Sequence, residues 1–84
     1  MVNIFISMDK QFSLIYGKEN IFYKILQINA QIKIKRRLLE LGFTNNEKVL
    51  ILKKSRLKGV FLLQIKGYVL ALKKKEVANI IVEV

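Results

Sequence analysis

Between residues 30 and 41, the apolar positions of this chain recur with the period of an α-helix. Three of them stand at positions i, i+4 and i+7 and therefore form one stripe along a helix. The stripe consists of Ile34, Leu38 and Leu41. Gly42 follows at once, and a helix end favours glycine there because the backbone turns left-handed. With Asn29 as the N-cap, the pattern predicts a helix from about Ala30 to Leu41.

Elsewhere the chain consists of short segments in which β-branched and aromatic residues dominate, a composition typical of strands. Turns that contain Gly or Asn separate several of these segments. We predict strands at residues 21–28, 48–54, 60–66, 68–73 and 80–84, with one helical turn at 74–79. Gly67 makes the third and fourth strands a hairpin. The inward side of this hairpin is predicted to hold Phe61, Leu63, Ile65, Leu70 and Leu72.

Five short strands joined by tight turns are best accommodated by a closed sheet, since closure removes exposed strand edges. The strand at 48–54 is apolar on both faces and is expected near the centre of such a sheet. The predicted fold class is therefore mainly β, a small SH3-like barrel of about five strands with one α-helix inserted between the first and second strands. An OB-type barrel is the alternative. No linker or repeat divides the chain, so residues 1–84 are predicted to form one domain.

Composition narrows the classes of function. Hydrophobic residues make up 52% of the chain, which argues against disorder, and the longest apolar run is far shorter than the roughly twenty residues of a membrane span. The chain has no His and no Cys, so it lacks the usual general base, the commonest transition-metal ligands and any disulfide. We therefore predict no enzyme, no catalytic residue, no cofactor and no metal site, and a cytoplasmic location. Sensing of ferrous ion would have to rest on six scattered carboxylates.

The formal net charge is +10, as expected for proteins that work beside anionic membranes or nucleic acids. Only three of the 16 basic residues are Arg, and bidentate phosphate recognition favours Arg, so the charge alone identifies no partner. Two exposed segments, the helix face and a loop, are predicted to carry partner-binding residues. These candidates are Lys33, Arg36 and Arg37 on the helix and Arg56, Leu57 and Lys58 in the loop.

Each of these two segments also has a purely structural interpretation. The helix face can serve only as the solvated outer side of a barrel helix, with Glu40 within reach of Arg36 and Arg37 at i+4 and i+3. Leu57 is either an apolar anchor for a partner or a cap over the open end of the barrel.

Two motifs of the chain keep a recognisable order and spacing. The helix ends in Arg37–Gly42 (Arg-Leu-Leu-Glu-Leu-Gly), and the hairpin segment Gly67–Leu72 leads into Glu76–Val82. From about residue 17 to residue 84, this pattern resembles the FeoA family, small accessory proteins of bacterial ferrous-iron uptake. Residues 1–16 match the family poorly. Family members usually carry Pro-Gly in the turn after the helix, whereas this chain has Asn45-Asn46 there and contains no proline.

The resemblance implies an SH3-like barrel without enzymatic activity that acts in the cytoplasm as an accessory or regulatory protein. Its implied partner is the cytosolic GTPase part of FeoB, a membrane ferrous-iron transporter, which would bring the chain near the anionic lipids of the inner leaflet. Arg36 or Arg37 could then act as an arginine finger for the GTPase. The resemblance also favours a stand-alone protein over the terminal domain of a repressor.

A small basic barrel that binds single-stranded nucleic acid is the alternative function. It requires aromatic residues interleaved with Lys or Arg on one exposed face of the sheet. Phe22, Tyr23 and Lys24 come closest to this arrangement. One of the two aromatic residues must face the core, however, because neighbouring strand residues point to opposite faces. Nucleic acid is therefore not the expected partner.

Overall fold

The computed structural model describes residues 11–84 and shows six strands, two α-helices and a 3₁₀ helix. The elements in chain order are β1 (Phe12–Ser13), the 3₁₀ helix (Leu14–Tyr16), β2 (Phe22–Ile28), α1 (Ile32–Glu40), β3 (Lys48–Ser55), β4 (Val60–Ile65), β5 (Tyr68–Lys73), α2 (Lys74–Val77) and β6 (Ile80–Glu83). The prediction of a mainly β fold with one principal helix between two strands is confirmed.

All strand pairs are antiparallel, and the sheet order is β1-β6-β2-β3-β4-β5. Strands β2 to β5 follow one another in space as in sequence, and the C-terminal strand β6 lies between β1 and β2. Within residues 11–84, β1 and β5 are the outer strands, so the expected closure by strand pairing does not extend around the whole barrel. Helix α2 contacts β4, β5 and the 3₁₀ helix, and thereby joins the two sides.

The leading segment contributes more to the fold than its sequence indicated. Phe12 and Ser13 pair with Val82 and Ile81, which adds a sixth strand to the five that were predicted. Leu14 in the next turn is completely buried. A two-residue strand is too short to show an alternating pattern, so pairing with β6 defines it. The part of the leading segment before residue 11 lies outside the described residues.

The hairpin of β4 and β5 forms as predicted. Phe61 pairs with Leu72 and Leu63 pairs with Leu70, and the inward residues of β4 are buried. Lys66 and Gly67 form the turn with φ angles of 50° and 81°. Positive φ at both central residues is what a two-residue type I′ turn requires, and its twist matches that of the strands.

The core is made of apolar side chains from the strands, the 3₁₀ helix, both α-helices and the segment after α1. Its fifteen buried members are Leu14, Tyr23, Ile25, Ile28, Leu38, Phe43, Val49, Ile51, Phe61, Leu63, Ile65, Leu72, Val77, Ile80 and Val82. Among the described residues, no polar or charged side chain other than that of tyrosine is buried with them. Register shifts in β2 and in β3 interrupt the ladders, and such bulges bend strands around a core.

Helix α1 ends as the sequence predicts but begins later. Gly42 has a φ of 110°, its N–H bonds to the Leu39 carbonyl at 3.0 Å, and the Phe43 N–H bonds to the Leu38 carbonyl at 3.0 Å. These two bonds form a Schellman motif, which satisfies carbonyls at the helix end. The predicted N-cap Asn29 is wrong, because the helix begins only at Ile32. The Asn29 N–H instead bonds to the Asn79 carbonyl at 2.8 Å. Gln31 occupies the N-cap position instead.

Only the C-terminal turns of α1 reach the core. Leu38 is completely buried and Leu41 is half-buried, but 39% of Ile34 is exposed and Ile32 is exposed to 68%. The predicted apolar stripe is therefore correct for its last two positions and wrong for its first. The final strand ends at Glu83, one residue before its predicted end, with Ile80 and Val82 buried and Val84 exposed.

Candidate partner-binding surface

All six predicted partner-binding residues are exposed, and they lie on two separate segments. The first group occupies α1, and the second occupies the turn that joins β3 to β4. We call these the helix segment (Lys33, Arg36, Arg37) and the turn segment (Arg56, Leu57, Lys58). Exposure makes both segments available to a partner, but their surroundings differ.

The helix segment contains one arginine with a structural role. Arg37 forms an ion pair with Glu76 of α2. Glu76 also accepts a hydrogen bond from the backbone N–H of Lys73 at 3.0 Å, so one carboxylate caps α2 and holds α1 beside it. The expected pairing of Arg37 with Glu40 gives way to this contact, because Glu76 is fixed at the start of its own helix. Arg36 is the arginine of this segment that does not contact Glu76.

The turn segment projects fully into solvent at its tip. The side chain of Leu57 is as exposed as in an extended chain, with a relative exposure of 102%. A cap over the open end of the barrel would bury that side chain, so the structure contradicts the capping interpretation. An exposed leucine between Arg56 and Lys58 has the composition of an interface anchor, and that role stays a prediction.

A concave pocket of about 440 Å³ lies directly beside the turn segment. Three basic side chains from different elements line it, namely Lys54 of β3, Arg56 of the turn and Lys74 of α2. Three apolar or aromatic residues complete much of its surface, namely Ile15, Tyr16 and Phe61. None of the lining residues in the described part of the chain is Asp or Glu. We call this the basic pocket.

Lys54 is the most firmly held cation of the basic pocket. Its ammonium donates a hydrogen bond to the Ile15 carbonyl at 3.1 Å and lies 5.6 Å from the centroid of the Phe61 ring. Its backbone N–H donates to the Glu19 carboxylate at 2.7 Å. No carboxylate from residues 11–84 forms an ion pair with this ammonium. The ammonium is therefore oriented by neutral groups and keeps N–H donors for a ligand.

Helix α2 lies between the helix segment and the turn segment. The backbone N–H of Lys74 bonds to the Gly59 carbonyl at 2.8 Å, while Glu76 two residues further along pairs with Arg37. The structure thus connects both predicted segments to the same short helix. Sequence reasoning missed Lys54 and Lys74 as candidate site residues. The lysine run at residues 73–75 was a visible signal, but no local signal distinguishes Lys54 from other strand lysines.

The arrangement required for single-stranded nucleic acid is not formed at the predicted place. Phe22 is 54% exposed, whereas Tyr23 is buried, packs edge-on against Phe12 and accepts a hydrogen bond from the Lys18 N–H at 2.8 Å. Lys24 is half-buried and pairs with Glu83 at 3.6 Å. One exposed aromatic ring without a free neighbouring cation offers little to a stacked strand of bases.

Residues 11–84 contain no group of three or more His, Cys, Asp or Glu side chains placed to hold a metal ion. Over the same residues, no helix combines the length and the apolar character needed to cross a membrane. The chemistry that the surface does offer is a set of cationic hydrogen-bond donors beside apolar side chains. Such a surface is suited to recognise anionic groups.

Two solved structures of FeoA proteins share both the fold and the extent of this chain. An FeoA-like protein from Clostridium acetobutylicum is 27% identical with a TM-score of 0.81, and the match covers 89% of this chain and 87% of that protein. FeoA from Stenotrophomonas maltophilia, solved with zinc, is 25% identical with a TM-score of 0.68, and the match covers 79% of this chain and 82% of that protein. The Stenotrophomonas protein is described as a prokaryotic SH3 domain protein, and the predicted SH3-like fold is confirmed.

A manganese-dependent transcriptional repressor shares the fold alone, with 16% identity and a TM-score of 0.81. The match covers 87% of this chain but only 36% of the repressor. No curated protein matches the chain significantly. The family model of the FeoA domain matches residues 18–84, in agreement with the extent of the motifs noted in the sequence. The chain therefore belongs to the FeoA family.

Proposed function

We propose that the chain is a non-enzymatic, cytoplasmic accessory and regulatory protein of bacterial ferrous-iron uptake, which binds the cytosolic GTPase part of the FeoB membrane transporter. The observation that carries this proposal is the FeoA match over residues 18–84, which leaves out only the leading segment. The Stenotrophomonas relative supports it, since that FeoA is suggested to act as a ferrous-iron-transport activating factor.

The surface of the chain supports a role in binding. The net charge of +10 would speed the encounter with an acidic partner, because long-range attraction raises association rates. Both the helix segment and the turn segment are exposed for contact. Of the two helical arginines, Arg36 is the better candidate for an arginine finger, because Glu76 already engages Arg37.

The same charge supports work at the inner face of the membrane. Anionic lipid attracts Lys and Arg side chains near its surface, each by about 1 kcal/mol. Exposed lysines such as Lys58 would lie near the lipid headgroups while the transporter holds the chain in place. Sedimentation with vesicles tests this part: weak binding to anionic vesicles and none to neutral ones is expected, and equal binding to both would contradict it.

The proposed partnership is tested by titrating the full chain onto the purified cytosolic part of FeoB and measuring both binding and GTP hydrolysis. We expect saturable binding and a change in the hydrolysis rate. The matched control is the same experiment with a GTPase of another family, for which neither effect is expected. Absence of binding together with an unchanged hydrolysis rate would refute the proposal.

Replacing Arg36 separates docking from an arginine finger. An arginine finger stabilises transition-state charge and supplies about 10³–10⁵ in rate, so Arg36→Lys would abolish any stimulation of hydrolysis while binding persists. If Arg36 only contributes to binding of the partner, Arg36→Lys should retain most of the stimulation of hydrolysis, because lysine keeps the positive charge. Arg37→Lys is the control and should leave the stimulation unchanged, since Arg37 is engaged in the ion pair with Glu76.

A further inference from the structure

The basic pocket has the size and shape of a binding site. Its volume of about 440 Å³ falls among those of ligand pockets, which are on the order of 300–1,000 Å³. Its surface combines three cations with an apolar floor and, among the described residues, no acidic side chain. Three cations elsewhere on the described surface, Arg37, Lys24 and Lys66, each pair with a carboxylate of the chain itself, and no such pair forms at the pocket.

The position of Lys54 indicates what the pocket lacks. The ammonium is held against a carbonyl and a ring, and it forms no ion pair with a carboxylate of residues 11–84. A bound carboxylate would supply the opposite charge. The Ile15 carbonyl and the Phe61 ring already fix the end of the flexible Lys54 side chain. Binding an anion there therefore costs little side-chain conformational entropy.

Arg56 and Lys74 line the same pocket as Lys54. The guanidinium of Arg56 can bind a carboxylate through two parallel N–H donors, whereas an ammonium acts as a point charge. Lys74 is placed by the bond between its backbone N–H and Gly59, which ties α2 to the turn. Three cations from three elements thus line one pocket.

The apolar groups around the pocket favour a peptide over a small anion. Tyr16 lines the pocket and is 72% exposed, and Leu57, next to Arg56, is fully exposed. A free carboxylate or phosphate would satisfy the cations and leave both apolar side chains in water. A peptide can place an acidic side chain among the cations and a neighbouring apolar side chain against this rim.

We propose that the basic pocket binds an acidic peptide segment, in which an Asp or Glu carboxylate contacts Lys54, Arg56 and Lys74 and an adjacent large apolar side chain packs on Tyr16 and Leu57. The inference deepens the proposed function and rests on it in one respect, that the segment belongs to the transporter. Affinity for such a peptide can be measured without the transporter, so the two ideas fail separately.

The direct test is a titration of the ¹⁵N-labelled full chain with the peptide acetyl-Gly-Ser-Glu-Asp-Phe-Leu-Ser-Gly-amide, followed by backbone amide shifts. Shifts concentrated at residues 15–16, 54–59 and 74 are expected. A second peptide with Gln-Asn in place of Glu-Asp should bind about tenfold more weakly or not at all, since bonds to charged groups dominate. Equal binding of both peptides, or shifts centred on α1, would overturn the proposal.

Variants of the chain sharpen this test. Lys54→Met removes the ammonium but keeps the apolar stem, and we expect affinity to fall about tenfold. Arg56→Gln, at the exposed rim, should lower affinity about threefold and cannot disturb the core. Lys48→Gln, at an exposed lysine that lies outside the pocket and both segments, is the control with the same change in net charge and should leave affinity unchanged. If Lys48→Gln weakens binding as much as Arg56→Gln, binding reflects overall charge and the proposal is wrong.

Other occupants are distinguished by parallel titrations with inorganic phosphate, AMP and vesicles that contain phosphatidylserine. Tighter binding of phosphate or AMP than of the peptide at the same amides would overturn the peptide assignment in favour of a small anion. Vesicle binding that requires Lys54, without peptide binding, would overturn it in favour of lipid.

Binding to the transporter then separates the inference from the proposed function. The proposed function is wrong if the unmodified chain does not bind the FeoB cytosolic part, whether or not the chain binds the acidic peptide. The inference is wrong if a chain carrying both Lys54→Met and Arg56→Gln binds the transporter as tightly as the unmodified chain does. The expected result is transporter binding by the unmodified chain and at least a tenfold loss in the double variant.

Discussion

The helix segment and the turn segment carry the same kinds of side chain, yet the structure gives them different surroundings. On α1, Arg37 is engaged by Glu76, and none of the three basic residues of the helix segment lines the basic pocket. In the turn, Arg56 borders a concave pocket where Lys54 has no ion pair with the described residues. Basic charge alone therefore does not identify a binding surface. The pocket beside the charge is more informative, since Lys33 and Arg36 on α1 also form no ion pair with the described residues.

The two regions also differ in how they are attached to the core. Helix α1 is held at its C-terminal end by Leu38, by the Schellman motif at Gly42 and by the pair between Arg37 and Glu76. The turn segment is joined to the rest by the bond from Lys74 to Gly59 and by the flanking strands. Substitutions at these contacts should therefore lower the free energy of unfolding by unequal amounts.

Replacing Leu38 should have the largest effect on stability. The side chain is fully buried where α1 meets the core, and Leu→Ala changes of this kind cost about 2–5 kcal/mol of unfolding free energy. Urea unfolding followed by circular dichroism measures the loss. Ile34→Ala is the matched control on the same helix and should cost less than about 1 kcal/mol, because that side chain is already 39% exposed. Equal losses would show that α1 is packed along its whole length.

Gly42→Ala should have the next largest effect, with a loss of about 1–3 kcal/mol, because φ there is 110° and a side chain is strained at that angle. The added methyl group would also lie 3.2 Å from the Tyr68 hydroxyl oxygen. Gly59→Ala is the comparison in the turn: its φ of 63° is in the left-handed region and its methyl group would meet nothing within 4 Å. We expect thermal unfolding to show a clearly smaller loss for Gly59→Ala. The reverse order would contradict the role given to the helix end.

Removing the ion pair between α1 and α2 should have the smallest effect on stability. Arg37 is 60% exposed, and exposed pairs contribute only about 0.2–1 kcal/mol. A double-mutant cycle with Arg37→Gln and Glu76→Gln isolates the coupling, since Glu76 also caps α2. Arg36→Gln serves as the control and should show no coupling with Glu76→Gln. A coupling as large for Arg36 as for Arg37 would mean that the pair is not specific.

The sequence contains most of the information about the sheet and little about the pocket. Alternation in β4 and β5, with Gly67 between them, predicts the hairpin and its inward face, because each signal lies within a few residues. Gly42 likewise marks the helix end because only the local backbone angle matters. The short strand β1 is invisible to such reasoning, since its two residues become a strand only by pairing with β6.

The contacts that define the candidate site join residues that are far apart in the chain. Arg37 and Glu76 are 39 residues apart, and so are Ile15 and Lys54. A linear pattern cannot show that a particular lysine of β3 meets the carbonyl of the leading turn. It predicts that Arg56 and Leu57 are exposed, but not that a basic pocket lies beside them.

The most direct test of this account measures binding of the full chain to the FeoB cytosolic part with two variants of equal charge. One carries Lys33→Gln and Arg36→Gln on α1, and the other carries Arg56→Gln and Lys58→Gln in the turn. We predict that the unmodified chain binds and that the turn variant loses about threefold to tenfold in affinity, more than the helix variant. Absence of binding by the unmodified chain, or a larger loss in the helix variant, would contradict the account.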